Sequence, residues 1–175
     1  MSTGLIHIYT GTGKGKSTAA IGLCNRAVGH EFNTCYVTFH KNPEKYGYKE
    51  FDSLRKLGVT ILHFAKGHPH LDPTMDNEVI RQETQEGLKK VQEIISCEKI
   101  DLLILDEILI SVRDKYLDEA ALLQFINDKP ESTELVLTGR GATQKILELA
   151  DYVSDINCIE HPYNKGIKSR TGIEF

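Results

Sequence analysis

The segment TGTGKGKST at positions 10–18 constrains this chain more than any other. It follows an alternating, branched and aromatic run, LIHIY at 5–9, and leads into a helical pattern that starts at Ser17. Strand, glycine-rich loop and helix in that order form the context a phosphate-binding loop requires. Gly11, Gly13 and Gly15 allow backbone conformations and close approaches that a Cβ would block, so successive N–H groups can converge on anionic oxygens. Lys16 adds a point charge, the helix N-terminus adds a partial one, and the Ser17 hydroxyl is suited to magnesium. The general pattern GxxxxGK[ST] asks for glycine at position 10, where this chain has Thr10, and Lys14 is an additional cation inside the loop. The loop is therefore a variant of the standard one.

The rest of the pattern alternates strands with helices. Strands are predicted at 5–9, 34–39, 59–64, 101–106, 134–138 and 152–159, and helices from Ser17 and at 48–57, 76–97, 118–127 and 142–149. The runs DLLILD and ELVLT are almost continuously apolar, as strands buried on both faces of a parallel sheet should be. These features predict an α/β fold: a doubly wound, mainly parallel sheet with helices on both faces and a P-loop, RecA-like nucleotide-binding architecture. Ligands then belong at the carboxyl ends of the strands. The irregular stretches 39–47, 65–74 and 161–175 are expected around that crevice. At 175 residues with no linker or repeat, the whole span 1–175 is expected to be a single domain.

Composition removes several alternatives. Hydrophobic residues at 40% and charged residues at 26% are ordinary for a globular protein, and a net charge of -4 argues against a broad basic face for nucleic acid. No apolar run is long enough to cross a bilayer and no signal-peptide pattern is present, so a cytoplasmic protein without membrane or nucleic-acid partners is expected. Cys24, Cys35, Cys97 and Cys158 are scattered without a CxxC, which reads as buried free thiols.

Asp106 and Glu107 follow the apolar run at 102–105, where a second acidic element would meet the magnesium of a bound nucleotide. Spacing does not choose which carboxylate touches the ion, and in ordinary ATPases a glutamate in the place of Glu107 can instead orient an attacking water. No Ser/His/Asp, Cys/His or paired-carboxylate constellation for nucleophilic catalysis is evident.

Taken together, IYTGTGKGKSTAAIGL at the start, RAVGH at 26–30, ILDE at 104–107, LTGRG at 137–141 and the terminal HPYNKGIKSRTGIEF make a chain that resembles the ATP:corrinoid adenosyltransferases of the cob(I)alamin type. The variant loop fits, because the family pattern is TGxGKGK[ST]. The resemblance implies transfer of the 5'-deoxyadenosyl group of ATP to Co(I) of a reduced corrinoid, forming adenosylcobalamin and releasing triphosphate. It implies that Gly11, Thr12, Gly13, Lys14, Gly15, Lys16, Ser17 and Thr18 bind the triphosphate, with Lys14 and Lys16 stabilising the departing charge. Ser17 and Glu107 would hold Mg2+, with Asp106 behind them or joined through water. Arg140 is either a contact to nucleotide or corrinoid, or a turn residue. A homodimer and a flavoprotein reductant are also implied; the preferred corrinoid is left open.

One departure concerns the corrinoid side. In the best-known branch, aromatic residues of a GFxW-like loop occupy the lower face of the corrin, whereas the matching loop here reads Gly67-His68-Pro69-His70. His68 or His70 packing beneath the ring without ligating cobalt is one reading, an exposed polar loop is another, and a zinc site of His63, His68, His70 and Asp72 is a third. Cover for the site is expected from the loop at 41–48, with Tyr46 and Tyr48, or from the tail with Lys165, Lys168 and Arg170. The rival functions are a phosphate-loop ATPase or kinase and a nucleotide-dependent interaction module.

Overall fold

A computed structural model describes residues 3–67, 72 and 74–174. The chain order is β1 (Ile6–Thr10), α1 (Lys16–Val28), β2 (Thr34–Phe39), α2 (Pro43–Tyr46), α3 (Glu50–Lys56), β3 (Thr60–Phe64), α4 (Asn77–Cys97), β4 (Leu102–Asp106), α5 (Ile108–Arg113), α6 (Glu119–Asp128), β5 (Glu134–Thr138), α7 (Gln144–Glu148) and β6 (Tyr152–Asp155), followed by a 3-10 turn at Pro162–Lys165. The strands form a six-stranded sheet in the order β3-β2-β4-β5-β1-β6, and every pairing is parallel. Their carboxyl ends therefore lie along one edge of the sheet.

Alternation within the central strands supplies both faces. Leu103, Leu105, Leu135, Leu137, Val37 and Ile8 pack with α4, α5, α6 and α7 on one side. Leu102, Ile104, Val136 and Tyr36 pack with α1 and α3 on the other. Both faces being covered explains why these strands read as unbroken apolar runs. The buried apolar positions of helix α1 are the small residues Ala20, Cys24 and Ala27 at helical spacing. Helix α4 starts where the Asp76 carboxylate accepts the Glu78 N–H at 2.7 Å. It crosses β3 so closely that a Cβ on Gly87 would lie 2.5 Å from Phe64 Cγ.

Some expected boundaries change. β6 stops at Asp155 rather than continuing to Ile159, because the backbone beyond it turns to lie over the glycine-rich loop, where Ile156 O accepts Gly13 N–H at 2.7 Å. Helix α5 adds to the expected elements: Glu107 adopts a left-handed backbone (φ 63) that ends β4, and the helix starts directly after it. Helix α2 lies within the stretch 39–47 expected to be irregular; Asn42 caps it and Pro43 opens it. Only two of the cysteines are buried, Cys24 and Cys35, whose thiols burial pushes up to about 11 and about 12. Cys97 and Cys158 are exposed, contrary to the expectation.

Candidate functional site

The loop between β1 and α1 is held from two sides. On one side it rests against the chain after β6: a Cβ on Gly11 would fall 2.4 Å from Asp155 Oδ1, and one on Gly13 would fall 2.8 Å from Ile156 O. Gly13 N–H donates to Ile156 O at 2.7 Å, and Cys158 N–H donates to Thr12 Oγ1 at 3.2 Å. Gly11 and Gly15 have φ of 100 and 123, which only glycine adopts readily. On the other side Lys16 folds back along the loop, its ammonium donating to Gly11 O at 2.9 Å and Gly13 O at 2.6 Å. Lys16 is thus buried. Burial lowers its pKa, opposed by the charge of Glu107.

Beside Lys16, at the end of β4, sits a compact acid cluster. Asp106 is fully buried. Its Oδ1 accepts the Thr138 hydroxyl at 2.7 Å, and its Oδ2 accepts the Lys41 ammonium at 2.6 Å and lies 3.5 Å from the Thr38 hydroxyl. Lys41 also donates to Ser17 Oγ at 3.2 Å. Burial alone would raise the Asp106 carboxyl, but the Lys41 charge and the hydrogen bonds from Lys41, Thr138 and Ser17 outweigh it and hold the group below its usual range. Glu107 goes the opposite way: burial, then the neighbouring Asp106 charge, raise it. Its backbone N–H donates to Thr138 Oγ1 at 3.0 Å, and its Oε2 is buried with no hydrogen-bond partner.

An orphaned carboxylate oxygen next to a second buried carboxylate and a serine hydroxyl is a set of hard oxygen donors, and it fits a small divalent cation. Among the described residues no group of three or more His, Cys, Asp or Glu could hold a metal by itself.

A family model for ATP:corrinoid adenosyltransferase BtuR/CobO/CobP matches residues 2–175. The chain belongs to the ATP:corrinoid adenosyltransferase family. It is similar to a corrinoid adenosyltransferase of Sinorhizobium sp, at 35% identity over 98% of this chain and 80% of the relative. A corrinoid adenosyltransferase of Escherichia coli K12 is 33% identical over 98% of this chain and 86% of the relative. By fold the chain resembles the crystal structure of a KaiC-like protein from Pyrococcus horikoshii OT3, with a TM-score of 0.61 and 15% identity over 92% of this chain and 76% of that one. The chain is an enzyme that transfers the adenosyl group of ATP to the cobalt of a corrinoid, forming adenosylcobalamin.

Within the adenosyltransferase, the expected site residues fall into three groups. Gly11, Thr12, Gly13, Gly15, Lys16, Ser17, Asp106 and Glu107 come together as described. Lys14 and Thr18 are exposed on the loop and on α1, and Lys14 lines a cavity of about 480 Å³ that the tail completes with Tyr163, Lys168 and Arg170. Arg140 is exposed between Gly139 and Gly141 and close enough for its charge to act on both Lys16 and Glu107. His68 and His70 lie outside the described residues. Of the other two residues in the zinc reading, His63 Nε2 accepts from Arg55 at 3.0 Å, and Asp72 is paired with Lys45 at 2.6 Å.

Three further participants are Lys41, from the loop at 41–48 expected as cover, and Thr38 and Thr138, which no sequence motif marks. Each is the last or nearly the last residue of a parallel strand or the turn after it, and only that position hints at a role. In the tail, the Arg170 guanidinium is engaged by Glu174 at 2.9 Å and Lys165 pairs with Glu160. No helix among the described residues is long and apolar enough to cross a membrane.

Proposed function

We propose that the loop from Gly11 to Thr18 is a RecA-like phosphate loop whose cargo is the leaving group of the reaction. In this reading Gly11, Thr12, Gly13, Gly15, Lys16, Ser17 and Thr18 hold the triphosphate of ATP, and Lys14 reaches it from the tail side. Co(I) of the reduced corrinoid donates its electron pair to the ribose 5' carbon. The bond from that carbon to the triphosphate oxygen breaks, and its electron pair leaves with the triphosphate. Negative charge grows on the departing oxygens, so Lys16, Lys14, Arg140 and the loop amides stabilise the transition state more than bound ATP.

Ser17, Glu107 and Asp106 would hold Mg2+, which supplies charge neutralisation on the triphosphate. The protein's own part is alignment: Lys16, tied to two loop carbonyls, is fixed before substrate arrives and needs little reorganisation. No proton has to be removed from the nucleophile. His68 or His70 would lie beneath the corrin without ligating cobalt, which keeps reduction to Co(I) accessible. A single domain spanning 1–175, a homodimer, a flavoprotein reductant and a cytoplasmic setting complete the reading.

The observation that carries it is the buried, unpartnered Glu107 Oε2, on which the charges of Asp106 and Lys16 act. The test is an anaerobic assay with ATP, Mg2+ and chemically reduced cobalamin, comparing wild type with Glu107→Gln. Adenosylation should fall by about 10² or more in the variant. Equal rates would remove Glu107 and the metal from the account.

A further inference from the structure

We propose that the Lys41 ammonium is a tethered stand-in for the divalent cation: it occupies the Ser17–Asp106 pair in the nucleotide-free enzyme and must be exchanged out when the metal binds. The inference rests on the reading of Ser17 and Asp106 as the metal side of the site and adds how that side is kept filled.

The geometry leaves no room for both cations. Lys41 Nζ lies 2.6 Å from Asp106 Oδ2 and 3.2 Å from Ser17 Oγ. The other Asp106 oxygen is already bonded to Thr138. A magnesium ion sharing these donors would sit about 2.1 Å from each oxygen it binds, which places it on the ground the ammonium holds. Two cations at that separation repel strongly in a buried site.

The chain has a reason to place a lysine here. Asp106 has no exposure to water, so leaving its carboxylate without a cation would be severely unfavourable. Lys41 satisfies it at the low cost of one flexible side chain anchored just beyond β2. The Lys41 side chain is itself 12% exposed, which leaves it a route outward. The Tyr48 ring, 5.5 Å from the ammonium, offers a face on which the displaced charge can rest. Metal binding to the nucleotide-free enzyme is thereby disfavoured, and the metal enters together with the phosphates that complete its shell.

Competition makes an unusual demand: removing a site residue should improve metal binding. The free-Mn2+ EPR signal is titrated with nucleotide-free protein. Lys41→Met should bind Mn2+ more tightly than wild type, on the order of tenfold, and adding Asp106→Asn should abolish the gain. Mg2+ should raise the melting temperature of Lys41→Met but not of wild type. Unchanged or weaker Mn2+ binding by a folded Lys41→Met overturns the exchange.

A second measurement on wild type covers the case in which the variant fails to fold. In protein with 15N-labelled lysine side chains, the slowly exchanging ammonium signal of the buried Lys41 should be present without metal and lost on saturation with Mg2+ and ATP. Its persistence overturns the proposal. Ser17→Ala separates the two levels of the argument. If it weakens Mn2+ binding in the ATP complex while Lys41→Met gains nothing, only the exchange fails; if it leaves Mn2+ unaffected, the metal reading fails with it.

Discussion

Thr138 donates its hydroxyl to Asp106 at 2.7 Å while its oxygen accepts the backbone N–H of Glu107 at 3.0 Å. One side chain at the end of β5 thus aims the carboxylate of one residue and the backbone of the next. The bond to Glu107 N–H also stabilises the left-handed turn from which α5 begins. Thr138→Val keeps the shape and removes both bonds. It should cost about 1–3 kcal/mol in chemical denaturation and raise the Mg2+ concentration needed for half-maximal adenosylation, while Thr138→Ser should restore both.

The buried position of Lys16 changes what its removal should do. Its ammonium ties two loop carbonyls together, so Lys16→Ala leaves Gly11 O and Gly13 O without their donor as well as depriving the triphosphate of a charge. The adenosylation kcat should drop by about 10²–10³. In contrast to a solvated lysine, the variant should also lose measurable stability in the absence of nucleotide, seen as a lower denaturation midpoint.

The loop glycines separate into two kinds. Gly11 combines φ of 100 with a Cβ position 2.4 Å from Asp155 Oδ1, whereas Gly15 has φ of 123 and open space around it. Gly11→Ala should therefore displace the segment after β6 and nearly abolish ATP binding by calorimetry. Gly15→Ala carries backbone strain alone, about 1–3 kcal/mol, and should weaken ATP binding less.

Glu107 is expected to trade stability for function. Burial and the Asp106 charge raise its carboxyl above the ordinary 4.5. The folded state then holds this proton at pH values where the unfolded chain has lost it, so stability falls as pH rises from 4.5 through the raised value. Asp106 contributes the opposite slope, with stability lost on acidification through its lowered value, below the ordinary 3.8. Above pH 4.5 only the Glu107 effect acts between these two. Glu107→Gln should flatten that decline and raise the nucleotide-free melting temperature near neutral pH, as calorimetry across pH would show.

How much of this could be read from the chain follows from how each feature is encoded. The strand, the loop at 10–18 and the following helix are contiguous, so spacing and glycine chemistry are enough to place Lys16 and Ser17. Asp106 and Glu107 are legible because they end an apolar run that must be a buried strand. Lys41, Thr38 and Thr138 are single polar residues at the ends of other strands. They gain meaning only from the order β2-β4-β5, which places β2 and β5 on either side of β4. The same dependence on distant partners hides the short β6: its chain leaves the sheet because the glycine loop needs Ile156 O as an acceptor. Helix α5 depends on a single left-handed residue, Glu107, whose backbone turn no periodicity announces.

The most direct measurement is phosphorus NMR of the products formed from ATP, Mg2+ and reduced cobalamin under anaerobic conditions. If the glycine loop grips the leaving group, intact triphosphate accumulates one-to-one with adenosylated corrinoid, and none forms when corrinoid is omitted. ADP and phosphate, produced whether or not corrinoid is present, would contradict the account.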